Sequence, residues 1–90
     1  MTADLVKGFG IAVRQSRESM GWSQERLAEY SDLNRSYVGE IERGAVVPSL
    51  VTVSKLATSL GVPASALLGR GEQLAEARRS DHGGLAAIAC

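Results

Sequence analysis

Ninety residues, with ten Lys and Arg against ten Asp and Glu, make one small domain of zero formal charge and exclude a two-domain chain. Hydrophobic residues at 44% and charged residues at 22% exclude wholesale disorder, and aromatics at only 4% leave the core to aliphatic side chains.

In chain order, Val6, Phe9, Val13 and Met20 recur at helical spacing and predict a first helix from Leu5 to Met20, ended by Gly21. Ser23 opens a second helix as its N-cap, with Glu25 in the first turn, Leu27 and Ala28 inward and an end near Ser31. Asp32-Leu33 forms a brief link. Asn34 then caps a third helix with Val38 and Ile41 inward, closing at Gly44. Pro48-Ser49 starts a fourth, with Leu50, Val53, Leu56, Ala57 and Leu60 inward and Gly61 at its end, and Pro63 begins a short fifth through Leu68. Beyond Gly69 the pattern weakens. Leu74 is the sole large apolar residue between Arg70 and Arg79, and Ser80-Asp81-His82-Gly83-Gly84 reads as a breaker, so a frayed tail is expected. The fold class is all-α, a compact five-helix bundle over residues 1–69 with a flexible or partly helical tail over 70–90.

The stretch from Gln24 to Gly44 reads QERLAEYSDLNRSYVGEIERG, a short helix, a turn and a second helix whose inward residues Ala28, Leu33, Val38 and Ile41 share one core. The third helix is short, polar at its start and apolar on its back, so its N-terminus fits a major groove about 12 Å wide while its back packs on helix two. Arg35 and Ser36 are the first exposed side chains there. Arginine suits guanine O6 and N7, and serine serves several bases, so both are read as base contacts, with phosphate contact the alternative for Arg35. Glu40, one turn after Ser36, either accepts from a cytosine amino group, orients Arg35 or Arg43, or is a solvated face charge. Asn34 is a cap first and a base reader second. Tyr37 and Arg43 flank this helix within reach of backbone phosphates, Tyr37 being nearly as well suited to packing on helix two. Arg17 shares a helical stripe with Val13 and Met20, so it is expected to be partly buried and to need a charged partner.

With Trp22-Ser23-Gln24 before it, Leu27-Ala28 inside and Ile41-Glu42-Arg43-Gly44 at its end, this segment resembles the Cro and phage-repressor (XRE-type) family of helix-turn-helix DNA-binding domains, over about Val6 to Leu68. Asn34-Arg35-Ser36-Tyr37-Val38 is similar to the small controller proteins of restriction-modification systems and related stand-alone regulators. The resemblance implies a lambda-repressor-like fold, with the start of helix two straddling a phosphate through Ser23 and Gln24. It also supplies the partner of Arg17, namely Glu42, as a structural bridge. Two departures stand out: Asp32 occupies a turn position that is often glycine, and Ala45-Val46-Val47 replaces a loop that is often basic.

The function expected is a sequence-specific transcriptional regulator binding double-stranded DNA as a homodimer on a palindromic operator. A domain this small buries only about 60% of its unfolded surface, which favours a partner subunit; Val62, Leu67 and Leu68 are the interface expected. The alternative is a protein-binding module, an antirepressor or bridging subunit, on the same fold without DNA contact. An enzyme is not expected, because the lone His82 lies beside Gly83-Gly84 with no nucleophile held in an elbow and no glycine-rich phosphate loop after a strand. One cysteine, Cys90, excludes an intrachain disulfide and, with one histidine, falls short of a zinc site, so neither metal nor cofactor is expected. No apolar run approaches the roughly 18 residues of a spanning helix and Met1-Thr2-Ala3-Asp4 lacks signal-peptide character, so a cytoplasmic protein without a membrane partner is expected.

Overall fold

The computed structural model describes the backbone of residues 2–89 and the side chains of residues 2–79. Five helices follow one another, α1 (Ala3–Ser19), α2 (Gln24–Tyr30), α3 (Arg35–Glu42), α4 (Leu50–Leu60) and α5 (Ala64–Ala89), with no strand among the described residues. The first four starts are specified by side chains. Thr2, Ser23, Asn34 and Ser49 lie in extended backbone and accept the N–H of Leu5, Arg26, Tyr37 and Thr52, satisfying donors that a helix start leaves free. After α1, α3 and α4 the chain turns through Gly21, Gly44 and Gly61 at positive φ, and after α2 through Asp32 at φ 54°. Asp tolerates that conformation better than most residues, so the turn forms without the glycine. The Leu33 N–H closes it by donating to the Ala28 carbonyl at 2.9 Å.

The core is aliphatic around one aromatic ring. Phe9, Ala12 and Val13 of α1 meet Leu27 and Ala28 of α2, Val38 and Ile41 of α3, Val53, Leu56, Ala57 and Leu60 of α4 and Leu67 of α5. Two residues expected inside lie outside. Met20 is 43% exposed because α1 ends at Ser19 and Met20 already caps it. Leu50 is 79% exposed because it is the first residue of α4, where buried Pro48 and Thr52 close the edge of the core instead. Conversely Leu67, expected at a dimer interface, is 2% exposed and belongs to the core, whereas Val62 and Leu68 are half-buried at its edge.

The fifth helix differs most from expectation, since it continues past Leu68 to Ala89 and through the anticipated break at residues 80–84. The side chains of His82 and Cys90 lie outside the described residues. Small residues explain why the start of this extension gave so faint an apolar signal. Gly71 and Ala75 are buried against α1, and a Cβ on Gly8 would overlap the Gly71 carbonyl oxygen. On the other side of Phe9, a Cβ on Gly10 would overlap the Ile41 carbonyl at the end of α3. The Gly8-Phe9-Gly10 triplet is therefore a packing device that brings α1 onto the backbones of both α5 and α3.

Arg17 completes the attachment of α1 to α3. Its Nε and Nη2 donate to Glu42 Oε2 and Oε1 at 2.7 and 3.0 Å, and its Nη1 donates to the Trp22 carbonyl at 2.7 Å. Both side chains are buried, 11% and 3% exposed. The hydrogen-bonded Glu42 carboxylate raises the Arg17 pKa above its already high ordinary value, so any stability tied to this titration is fully present at neutral pH and is lost only in strong alkali. No buried side-chain nitrogen or oxygen among the described residues lacks a hydrogen-bond partner.

Two outcomes follow from this packing. Arg17→Met or Glu42→Leu alone strands a buried charge and is expected to cost about 3–5 kcal/mol, while the double variant recovers much of the loss; thermal melts of the three variants measure it, and single variants that melt like the wild type would show the bridge to be energetically idle. Gly8→Ala pushes α1 off the α5 backbone and is expected to cost about 1–3 kcal/mol, read by urea unfolding.

Candidate nucleic-acid interface

The turn after α2 and the cap of α3 set the two short helices against each other, with Ser31 Oγ donating to Ser59 Oγ at 2.9 Å to hold the end of α2 on α4. The back of α3 is locked by Val38 and Ile41, both essentially inaccessible. What faces outward is an open cleft of about 420 Å³ lined by Gln24, Arg35, Ser36, Gly39, Glu40 and Arg43.

Arg35, Ser36 and Arg43 are exposed at this cleft, and Gln24 and Glu40 are half-buried in its wall. The structure thus brings together five of the residues singled out from the sequence. Asn34 is exposed at the start of α3 and its Oδ1 accepts the Tyr37 N–H at 2.7 Å, which commits its carbonyl to capping and leaves its amide nitrogen outward. Ser23 is likewise exposed and caps α2 by accepting the Arg26 N–H at 3.0 Å. Tyr37 packs against the core with its hydroxyl 3.4 Å from Thr52 Oγ1, facing α4.

Gln24 has a second attachment that sequence spacing did not reveal. Its Nε2 donates to Glu42 Oε1 at 3.0 Å, so the carboxylate that binds Arg17 also orients the first side chain of α2. These partners stand 18 residues apart, and only the fold brings them together. Gly39 was missed as well; its signal was its place midway between Arg35 and Arg43 at four-residue spacing.

Elsewhere a wider open depression of about 860 Å³ between the start of α1 and α5 is lined by Thr2, Leu5, Glu72, Glu76 and Arg79 among others, and its groups are mixed in charge. No group of three or more metal-ligating side chains occurs among the described residues. No single helix there is long and apolar enough to cross a membrane.

Comparison with known proteins places this arrangement. Residues 13–67 match the family described as helix-turn-helix. The chain is 44% identical over 69 residues to the control protein C.BamHI of Bacillus amyloliquefaciens, covering 76% of this chain and 85% of that protein. It superposes on the restriction-modification controller protein C.AhdI from Aeromonas hydrophila with a TM-score of 0.68 and 52% identity, over 73% of this chain and 98% of the other. The clp gene regulator ClgR from Corynebacterium glutamicum matches with a TM-score of 0.81 at 26% identity, over 93% of this chain and 88% of the other. Several longer regulators also match, and of these the chain spans between 36% and 56%. With the family match spanning residues 13–67 and a relative 44% identical over 85% of its own length, this chain belongs to the helix-turn-helix family.

Proposed function

We propose that this protein is a sequence-specific, DNA-binding transcriptional regulator that works in the cytoplasm as a homodimer on a palindromic operator. The observation that carries the reading is the cleft at α3, where Arg35, Ser36 and Arg43 stand exposed on a helix short enough to enter a major groove and packed behind on the core. The names of its relatives, control and controller proteins and transcriptional regulators, support the same reading.

In this proposal Arg35 and Ser36 read base edges at the N-terminal end of α3, and Glu40 beside them either accepts from a cytosine amino group or holds an arginine in place. Asn34 offers its free amide nitrogen to a base edge after capping the helix. Gln24, Ser23 and Arg43 grip backbone phosphates on either side. Tyr37, whose hydroxyl faces Thr52, serves more to fix α3 on α4 than to reach phosphate. A neutral protomer lacks the general positive field that strengthens DNA binding, so pairing two such readers compensates. Apolar side chains left outside the core supply the surface for pairing: Val62 and Leu68 at the α4–α5 corner, and Leu50 and Val51 at the start of α4.

Two measurements test this. Duplexes selected by the protein from a random pool should share a two-fold sequence, and Arg35→Ala should weaken binding to them by about 1–3 kcal/mol while relaxing one base position per half-site. An equal loss on selected and unselected duplexes would make Arg35 a phosphate contact. Sedimentation at micromolar concentration is expected to show a dimer, and a chain that stays monomeric even on its selected duplex overturns the pairing.

A further inference from the structure

Gly39 is an unfavourable choice for the middle of an eight-residue helix, since glycine weakens a helix relative to alanine. Its surroundings supply a reason. A Cβ built on Gly39 would lie 3.1 Å from Arg43 Nη1, 3.6 Å from Gln24 Oε1 and 3.9 Å from Gln24 Nε2, and would meet no backbone atom as closely. The nearest groups outside the helix's own backbone are two polar side chains of the cleft. Arg43 stands one turn after Gly39 on the same stripe, and side chains on a helix lean back toward its N-terminus, so the guanidinium lies over the bare Gly39 backbone. Gln24 reaches the same spot from α2, its amide orientation set by the bond to Glu42. The Glu42 bond uses one Gln24 N–H and leaves the second free.

We infer that Gly39 is a positioning residue that keeps open a seat from which the Arg43 guanidinium reaches one phosphate of the DNA backbone. The inference rests on the DNA-binding reading above. The Gln24 atom nearer this point is the acceptor Oε1, and its Nε2 is turned to Glu42, so the donor brought here is Arg43, whose guanidinium can present two parallel N–H groups to an anionic oxygen. Any side chain at position 39 crowds this seat, and the guanidinium must shift by a few tenths of an ångström or leave.

The 90-residue protein and its Gly39→Ala, Arg43→Ala and doubly substituted variants are titrated by fluorescence anisotropy onto a labelled duplex of about 30 base pairs carrying the sequence that the wild type selects from a random pool, at several salt concentrations between about 50 and 200 mM. Arg43→Ala is expected to bind roughly tenfold more weakly, the loss of one charge-assisted contact. Gly39→Ala alone is expected to lose roughly three- to tenfold, and to flatten the slope of log affinity against log salt by up to about one, as loss of one phosphate contact does. Added to Arg43→Ala, it should cost nothing further. Thermal melts accompany the titrations, and Gly39→Ala should melt at or above the wild-type temperature because alanine favours the helix. Wild-type affinity and slope in Gly39→Ala overturn the inference. So does an equal loss in the presence and absence of Arg43, which would mean that the methyl group meets the DNA directly. A wild-type protein that binds no duplex at any salt instead overturns the DNA-binding reading itself, and the inference with it.

Discussion

Glu42 accepts three hydrogen bonds on its two oxygens, from Arg17 Nε and Nη2 and from Gln24 Nε2, and so ties the end of α3 to α1 and to the first residue of α2. Gln24 and Arg43 line the cleft, so this buried carboxylate adds a polar tie to the turn and cap that set α2 against α3. A buried ion pair of this kind contributes less to stability than a well-packed apolar pair would. Its value here is directional: a bidentate guanidinium admits one orientation, and the Trp22 carbonyl fixes the remaining edge of Arg17.

Beside that bridge, α1 approaches α3 and α5 at backbone distance. Gly8 and Gly10, on either side of fully buried Phe9, remove the side chains that would hold the helices apart. The scaffold thus combines close backbone packing behind α3 with a polar clamp at its end. Gly39 repeats the device on the outer face, where the space freed by a missing side chain is taken up by polar groups of the cleft rather than by the core.

Zero net charge is consistent with this arrangement, because the charges are sorted by place. Arg35 and Arg43 stand at the cleft beside a single carboxylate, Glu40, while Glu42 is neutralised in the interior by Arg17 and several other charges pair locally along helix faces, as Arg14 does with Glu18 and Arg79 with Glu76. Exposed pairs of that kind contribute little to stability but reduce the field of the whole molecule.

Much of this was legible in the sequence wherever the controlling interaction is local. The caps Ser23, Asn34 and Ser49, the stops at Gly21, Gly44 and Gly61 and the apolar stripes act within one or two turns, so residue order alone determines the first four helices and places Arg35, Ser36, Glu40 and Arg43 on one outward face. Arg17 on an otherwise apolar stripe signalled a buried charge, and resemblance named its partner. Other features could be decided only by the tertiary structure. Leu50 and Leu67 both carry an apolar helical pattern, yet one is exposed and the other is core, because burial depends on which element lies opposite. The extension of α5 and the contact of Gln24 with Glu42 were hidden for the same reason. Glycine and alanine carry almost no hydrophobic periodicity, and a hydrogen bond between residues 18 apart leaves no trace in local spacing. Residue order determines where a helix begins, ends and turns its apolar side, but close approach and shared hydrogen bonds between helices exist only once the chain has closed on itself.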